Sequence, residues 1–259
     1  KKMVLRLLKK VFFMSFFSCF ISLGFKLTAG SIEEFCESHD VAYESRVSWG
    51  ACAIEAEKCS QDPSKSCAIF HHTVDETTPL DLEKKHTEAP FNFATIGYHY
   101  LISPGKISEC RPVSLQPAVL KNHNKGAIGI AFNGCFTAEK AAEHPQSEVS
   151  VEDFEKMIET ASALIAYLSI QYDIPINAKN FAPASSLCSE TYPHSPGELI
   201  TDRWDDVLEL ANHFTKFVPR VLDYSKRGLR SALRMWEKSD KKMVLATSTA
   251  AAAIIAWQI

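Results

Sequence analysis

The chain is short of several features that would each point to a function. It has no CxxC pair, which argues against a cysteine-only zinc knot. It has no excess of positive charge: the formal net charge is -3, where a nucleic-acid-binding domain is usually basic. Internal repeats and long low-complexity runs are missing, which argues against solenoids and linker-like chains. The alanine-rich stretch Val244 to Ile259 is apolar but shorter than the ~20 residues of a spanning helix, and it carries Thr and Ser.

What is present is enough for a packed core. Of 259 residues, 46% are apolar, so the chain holds one ordinary domain with extensions. Residues 1–30 read as an export signal. Lys1, Lys2, Arg6, Lys9 and Lys10 precede an apolar run from Val11 to Phe25, and Thr28-Ala29-Gly30 offers small residues for cleavage; an uncleaved anchor is the alternative. Export favours disulfides. Beyond Cys19 in the signal there are Cys36, Cys52, Cys59, Cys67, Cys110, Cys135 and Cys188, an odd number whose pairing the spacing does not fix. Residues 219–259 form a basic, roughly amphipathic and then apolar tail. It suits either a weak membrane contact or a packing helix.

Between these ends the pattern alternates. Residues 31–66 read as irregular. Cys67 to His72 reads as a short buried strand, and Asp81 to His86 as the end of a short helix. Ile96 to Ile102 reads as a strand, Pro104-Gly105 as a turn, and Lys106 to Arg111 as the returning hairpin arm. Gly126 to Phe132 reads as another buried strand. Ser150, with Asp153 three residues on, caps a helix reaching Tyr172 along an apolar stripe that includes Phe154, Ile158, Ala161 and Leu168. A further helix is predicted over Thr201 to Phe217. The expectation is an α/β (α+β) fold with a mixed central β-sheet flanked by helices, plus a helical C-terminal extension.

The candidate chemistry lies in Ile69-Phe70-His71-His72-Thr73 and in Gly97-Tyr98-His99-Tyr100. An imidazole at a strand tip and a nearby phenol are materials for zinc-assisted hydrolysis. Strand alternation turns His72 away from His71, as a hydrogen-bonded core or groove residue.

Taken in order, the motifs resemble one family. Arg46-x-x-Trp49-Gly50-Ala51 is similar to R-x-x-W-G-A, Ile69 to Thr73 to I-I-H-H-T, and Ile96 to Ile102 to I-G-Y-N-F-L-I. Glu109-Cys110-Arg111 is similar to E-G-R, Ile128 to Gly134 to I-G-I-S-F-x-G, and Ser195-Pro196-Gly197 to C-P-G, D-P-G or S-P-G. His86 falls at the family's helix histidine. Over residues 42–215 the chain resembles zinc-dependent N-acetylmuramoyl-L-alanine amidases, especially the peptidoglycan recognition proteins. The resemblance implies a groove for peptidoglycan stem peptides and other muropeptides, with no role for nucleic acid. It makes His71 a zinc ligand and Tyr98 the residue that steadies the tetrahedral intermediate. The groove residues it implies are His72, Thr73, Asn92, Phe93, Arg111 and Ser195, although Arg111 also suits pairing with a core carboxylate. Asn92-Phe93 implies lysine-type rather than diaminopimelate-type stems.

The departures concern the metal. The segment Asn180 to Cys188 has no G-H-R, so the second imidazole is missing, and Ser195 stands where active members carry Cys or Asp. A serine hydroxyl ligates zinc poorly at neutral pH. His194 and Cys188 are the possible substitutes. The resemblance with this pattern implies a recognition role with impaired or absent hydrolysis; the alternative is an active zinc amidase with an unusual ligand set.

Overall fold

In the computed structural model, residues 30–137 and 149–216 are described, together with Leu27–Thr28 and Val221–Leu222. The chain divides into two units, residues 29–219 and the two ends together. In the unit of the ends, Leu27–Thr28 pairs antiparallel with Val221–Leu222. The remainder of the predicted signal and of the predicted helical tail lies outside the described residues. Among the described residues no helix is long and apolar enough to cross a membrane.

The larger unit is built on a six-stranded mixed sheet. Its strands are β1 (Ala42–Glu44), β2 (Cys67–His72), β3 (Tyr100–Ser103), β4 (Lys106–Glu109), β5 (Ala127–Phe132) and β6 (Phe181–Pro183), in the order β1-β4-β3-β5-β2-β6. The hairpin β3–β4 is antiparallel and every other pairing is parallel. β2 and β5, the buried runs of the sequence, lie side by side with Phe70 opposite Ile130 and His71 opposite Ala131. Parallel strands covered on both faces read as continuous apolar runs, as these do.

Alternation then divides the sheet. Phe70, Ile128, Ile130 and Phe132 face a large core closed by α3 (Val151–Tyr172) and α6 (Trp204–Phe214). Ser150 caps α3, its hydroxyl accepting from the Asp153 amide at 3.0 Å. At the other end Asp173 takes a left-handed φ of 58°, and Pro175 stands two residues on. The opposite face carries Ile69, Ala127, Val119 and Leu120. Gly129 lies on this face, and a Cβ there would sit 2.5 Å from Val119 Cγ1, so no larger residue fits without movement.

Three predictions need correction. Residues 31–66 are not wholly irregular: α1 (Ile32–Ser38) begins at a capping box made by Ser31 and Glu34, and β1 follows as an edge strand. The predicted strand over Ile96 to Ile102 starts only at Tyr100, because Gly97 and Tyr98 belong to a loop held by other contacts. The expected disulfides are not formed: all seven described cysteines are free thiols. Cys36 and Cys110 are fully buried in separate apolar clusters, and burial pushes the Cys36 thiol up to about 12.

Candidate functional site

His71 comes to the site from β2, on the face opposite Phe70. It is 3% exposed. Burial, helped by neighbouring His72, lowers its pKa to about 4, so the ring is neutral at pH 7. Its Nδ1 lies 3.2 Å from Ser195 Oγ, and its Nε2 is buried with no hydrogen-bond partner among the described residues. Two phenol rings flank it: Tyr98 at 5.8 Å between centroids, and Tyr192 edge-on at 5.2 Å.

The position of Tyr98 is set by its backbone neighbours. The Gly97 amide donates to His86 Nδ1 at 3.0 Å, and its carbonyl accepts from Ala118. His99 is completely buried, with Nδ1 accepting from the Gly129 amide and Nε2 donating to the Leu115 carbonyl, both at 2.9 Å. His86 comes from α2 (Pro79–Thr87), which starts at the Thr78 cap. The family-like helix histidine therefore holds the tyrosine loop in place. Burial raises the Tyr98 phenol well above its ordinary value, so it stays protonated and able to donate.

Ser195 is fixed from the other side. Its carbonyl accepts from Ser185 of the short helix α4 (Ala184–Leu187) at 2.8 Å. Gly197, at φ 113°, follows at the start of another short helix, α5 (Glu198–Thr201). A Cβ on Gly197 would fall 2.3 Å from the Phe136 carbonyl oxygen, which explains the glycine of the S-P-G motif.

The other predicted residues scatter. Thr73 spends its hydroxyl on the backbone, donating to Asp75 at 2.6 Å and accepting from the Gly134 amide at 2.9 Å. Arg111 is buried. Its guanidinium donates to the carbonyls of Ile96 (2.8 Å), Gln116 (2.5 Å) and Thr95 (3.4 Å), an internal brace that leaves little for a ligand. Asn92 is exposed at a left-handed φ of 49°. Phe93 packs its ring on His86 at 5.8 Å and on half-exposed Phe91 at 5.6 Å. Since His86 also lies 5.6 Å from Tyr98, a series of rings connects the Asn92-Phe93 loop to His71. His72 is half-buried on the other face of β2. Tyr192 and Phe91 escaped sequence reasoning; Tyr192 stands three positions before Ser195, the one signal that could have drawn attention to it.

The two substitute ligands do not join His71. His194 is 63% exposed in its side chain, with Nδ1 2.5 Å from Glu198 Oε1. The Cys188 thiol donates to Thr191 Oγ1 at 3.4 Å. Among the described residues, no three His, Cys, Asp or Glu side chains are grouped to hold a metal ion. A catalytic zinc takes three protein ligands, and Nε2 of His71 is the one donor available here. The described residues therefore do not fit the family's zinc.

Comparison with solved structures places the fold. The chain is similar to the N-acetylmuramoyl-L-alanine amidase LysC from Clostridium intestinale, at 22% identity and a TM-score of 0.51, over 66% of this chain and 97% of that one. It is also similar to Drosophila PGRP-LB, at 19% identity and a TM-score of 0.50, over 63% and 92%. A variant of the same Drosophila protein in complex with tracheal cytotoxin matches at 18% identity and a TM-score of 0.50, over 64% and 95%. No curated protein sequence matches. The family model described as N-acetylmuramoyl-L-alanine amidase matches residues 61–206, more than half the chain. That span contains β2 with His71, the Tyr98 loop and Ser195, and the chain belongs to the N-acetylmuramoyl-L-alanine amidase family.

Proposed function

We propose that this protein binds the stem peptides of peptidoglycan, as muropeptides or intact wall, without cleaving the lactyl-amide bond. One observation carries the reading: a serine hydroxyl meets His71 at 3.2 Å, where a hydrolytic member needs a thiolate or carboxylate on a metal. The flanking phenols and the ring series toward Asn92-Phe93 give the groove aromatic surface for a peptide. Tracheal cytotoxin is the ligand named for the Drosophila relative, which supports a cell-wall fragment as the ligand class. The Asn92-Phe93 pair favours lysine-type stems. An exported chain would meet this ligand outside the cell, with residues 1–30 as signal, 31–218 as the binding domain and 219–259 available for a weak membrane contact.

The test is co-sedimentation of the purified protein with insoluble peptidoglycan, alongside metal analysis and chromatography of released muropeptides. Binding that resists chelation, zinc well below one ion per chain and no released stem peptide are expected. Stoichiometric zinc with stem-peptide release, both abolished by His71→Ala, would establish an active amidase and defeat the proposal.

A further inference from the structure

The hydrogens around His71 can be assigned. Ser195 is 5% exposed, and the hydrogen-bond partner given to its hydroxyl among the described residues is His71 Nδ1. A hydroxyl carries one hydrogen, and a neutral imidazole has one N–H and one bare nitrogen. If the ring hydrogen sat on Nδ1 and pointed at Oγ, the serine hydrogen would be buried without an acceptor. Nε2 would then be a second unsatisfied atom. If the serine donates to Nδ1 instead, the serine hydrogen and Nδ1 satisfy each other, and the single unsatisfied group left is Nε2–H. That arrangement leaves fewer buried polar groups unpaired.

We propose that Ser195 turns a metal-ligand position into a neutral hydrogen-bond donor: it fixes His71 as the Nε2–H tautomer, and that N–H takes the carbonyl oxygen of an amide in the ligand. The inference rests on the muropeptide-binding reading and specifies what its site recognises. Nε2 is shut off from solvent and partnerless, so an incoming acceptor satisfies a group the fold leaves unpaired. The phenol rings of Tyr98 and Tyr192 beside His71 favour contact with a flat, uncharged group. A carboxylate would enter a buried aromatic setting where, among the described residues, His71 forms no ion pair, whereas an amide carbonyl is far less costly to desolvate. Tyr192 is partly exposed, so entry of the acceptor requires that ring to give way. Ser195 is a positioning residue in this scheme, acting on the ligand through the imidazole.

The test is nitrogen-15 NMR of the full chain, with the His71 ring signals assigned by their loss in His71→Gln. In the free protein, a bare Nδ1 and a protonated Nε2 are expected. Adding N-acetylmuramoyl-L-alanyl-D-isoglutamine shifts the Nε2–H resonance, while equimolar zinc leaves it in place. Ser195→Ala releases the tautomer, so both ring nitrogens share the hydrogen, and affinity for that muropeptide falls about tenfold. A hydrogen on Nδ1 in the free protein, or zinc displacing the hydrogen from Nε2, overturns the inference. Muropeptide binding that leaves Nε2–H unmoved also overturns it, yet leaves the proposed function standing. If the tautomer is as assigned but no muropeptide binds, the binding reading fails, and with it the assignment of the amide as ligand.

Discussion

Acid should unfold this protein at a pH where most carboxylates are still ionised, because three imidazoles, those of His71, His86 and His99, are buried in the fold in neutral form. His99 is completely buried. Burial lowers its pKa to about 3, with Lys65 and Arg111 adding to the effect, while the Leu115 carbonyl and Asp62 oppose it. His86 is lowered to about 4 by burial, then by Lys85 and Arg111. In both rings Nδ1 accepts a backbone N–H, from Gly129 in one and Gly97 in the other, so protonation there replaces a hydrogen bond with two opposed hydrogens. The unfolded chain takes up these protons near the ordinary histidine value of 6.5, the folded chain not until about 4 or below. The unfolded state thus binds more protons through that window, and stability is lost as pH falls below 6.5. At pH 5 each ring accounts for about 2 kcal/mol; His71, lowered to about 4 by its own burial, adds an equal share, so the three come to about 6 kcal/mol, a large part of the ~5–15 kcal/mol of a typical domain. The carboxylates with lowered values, Asp62 and Glu155, lose their contribution only at lower pH. Urea unfolding at pH 7.5, 6 and 5 measures the effect. His99→Gln starts less stable but has about two-thirds of the slope, since glutamine cannot charge. A stability that stays flat from pH 7.5 to 5 would refute the reasoning.

Other perturbations have definite outcomes. Gly129→Ala puts a methyl 2.5 Å from Val119 Cγ1 and should lower stability by about 1–3 kcal/mol in thermal or urea unfolding. Phe70→Ala empties a fully buried position between Phe132 and Trp204 and should cost about 3–5 kcal/mol by the same measurement. Lys65→Met strands Asp62, which the lysine meets at 2.9 Å in a buried pair, and should cost about 3–5 kcal/mol. Ser195→Cys restores a family-like thiol but supplies only a second zinc ligand. Metal analysis and muropeptide release should both stay at background, because a catalytic site needs three.

The legible parts of the fold were those with strong local signals. The α3 helix was readable to its ends from the Ser150 cap and its apolar stripe, and β2 and β5 from apolar runs that parallel strands require. The first helix was missed although Ser31 and Glu34 carry its capping signal, because two buried residues, Phe35 and Cys36, make too short a pattern to see. β6 was missed for a similar reason: three residues gain strand character only by pairing with Ala68 to Phe70. At the site, motif order located His71, Tyr98 and Ser195. What it could not supply was contact across 124 positions between Ser195 and His71, or the covering ring of Tyr192. Arg111 shows the opposite limit. A conspicuous arginine near a groove reads as either a core-carboxylate partner, the favoured reading, or a ligand contact; the role is structural, but three backbone carbonyls take its donors.

The fold can lose metal ligands and keep a shaped site because the metal was never needed to hold these residues. Tyr98 is placed by main-chain bonds on either side of it, from Gly97 to His86 and from His99 to Gly129. Ser195 is placed by Ser185 and by the packing of Gly197 on Phe136. His71 is placed by its register beside Ala131. None of these constraints passes through an ion, so exchanging a ligand for serine alters the charge at the site and leaves its shape. A cation would have demanded anionic or lone-pair partners, whereas a neutral imidazole flanked by phenols selects for uncharged acceptors.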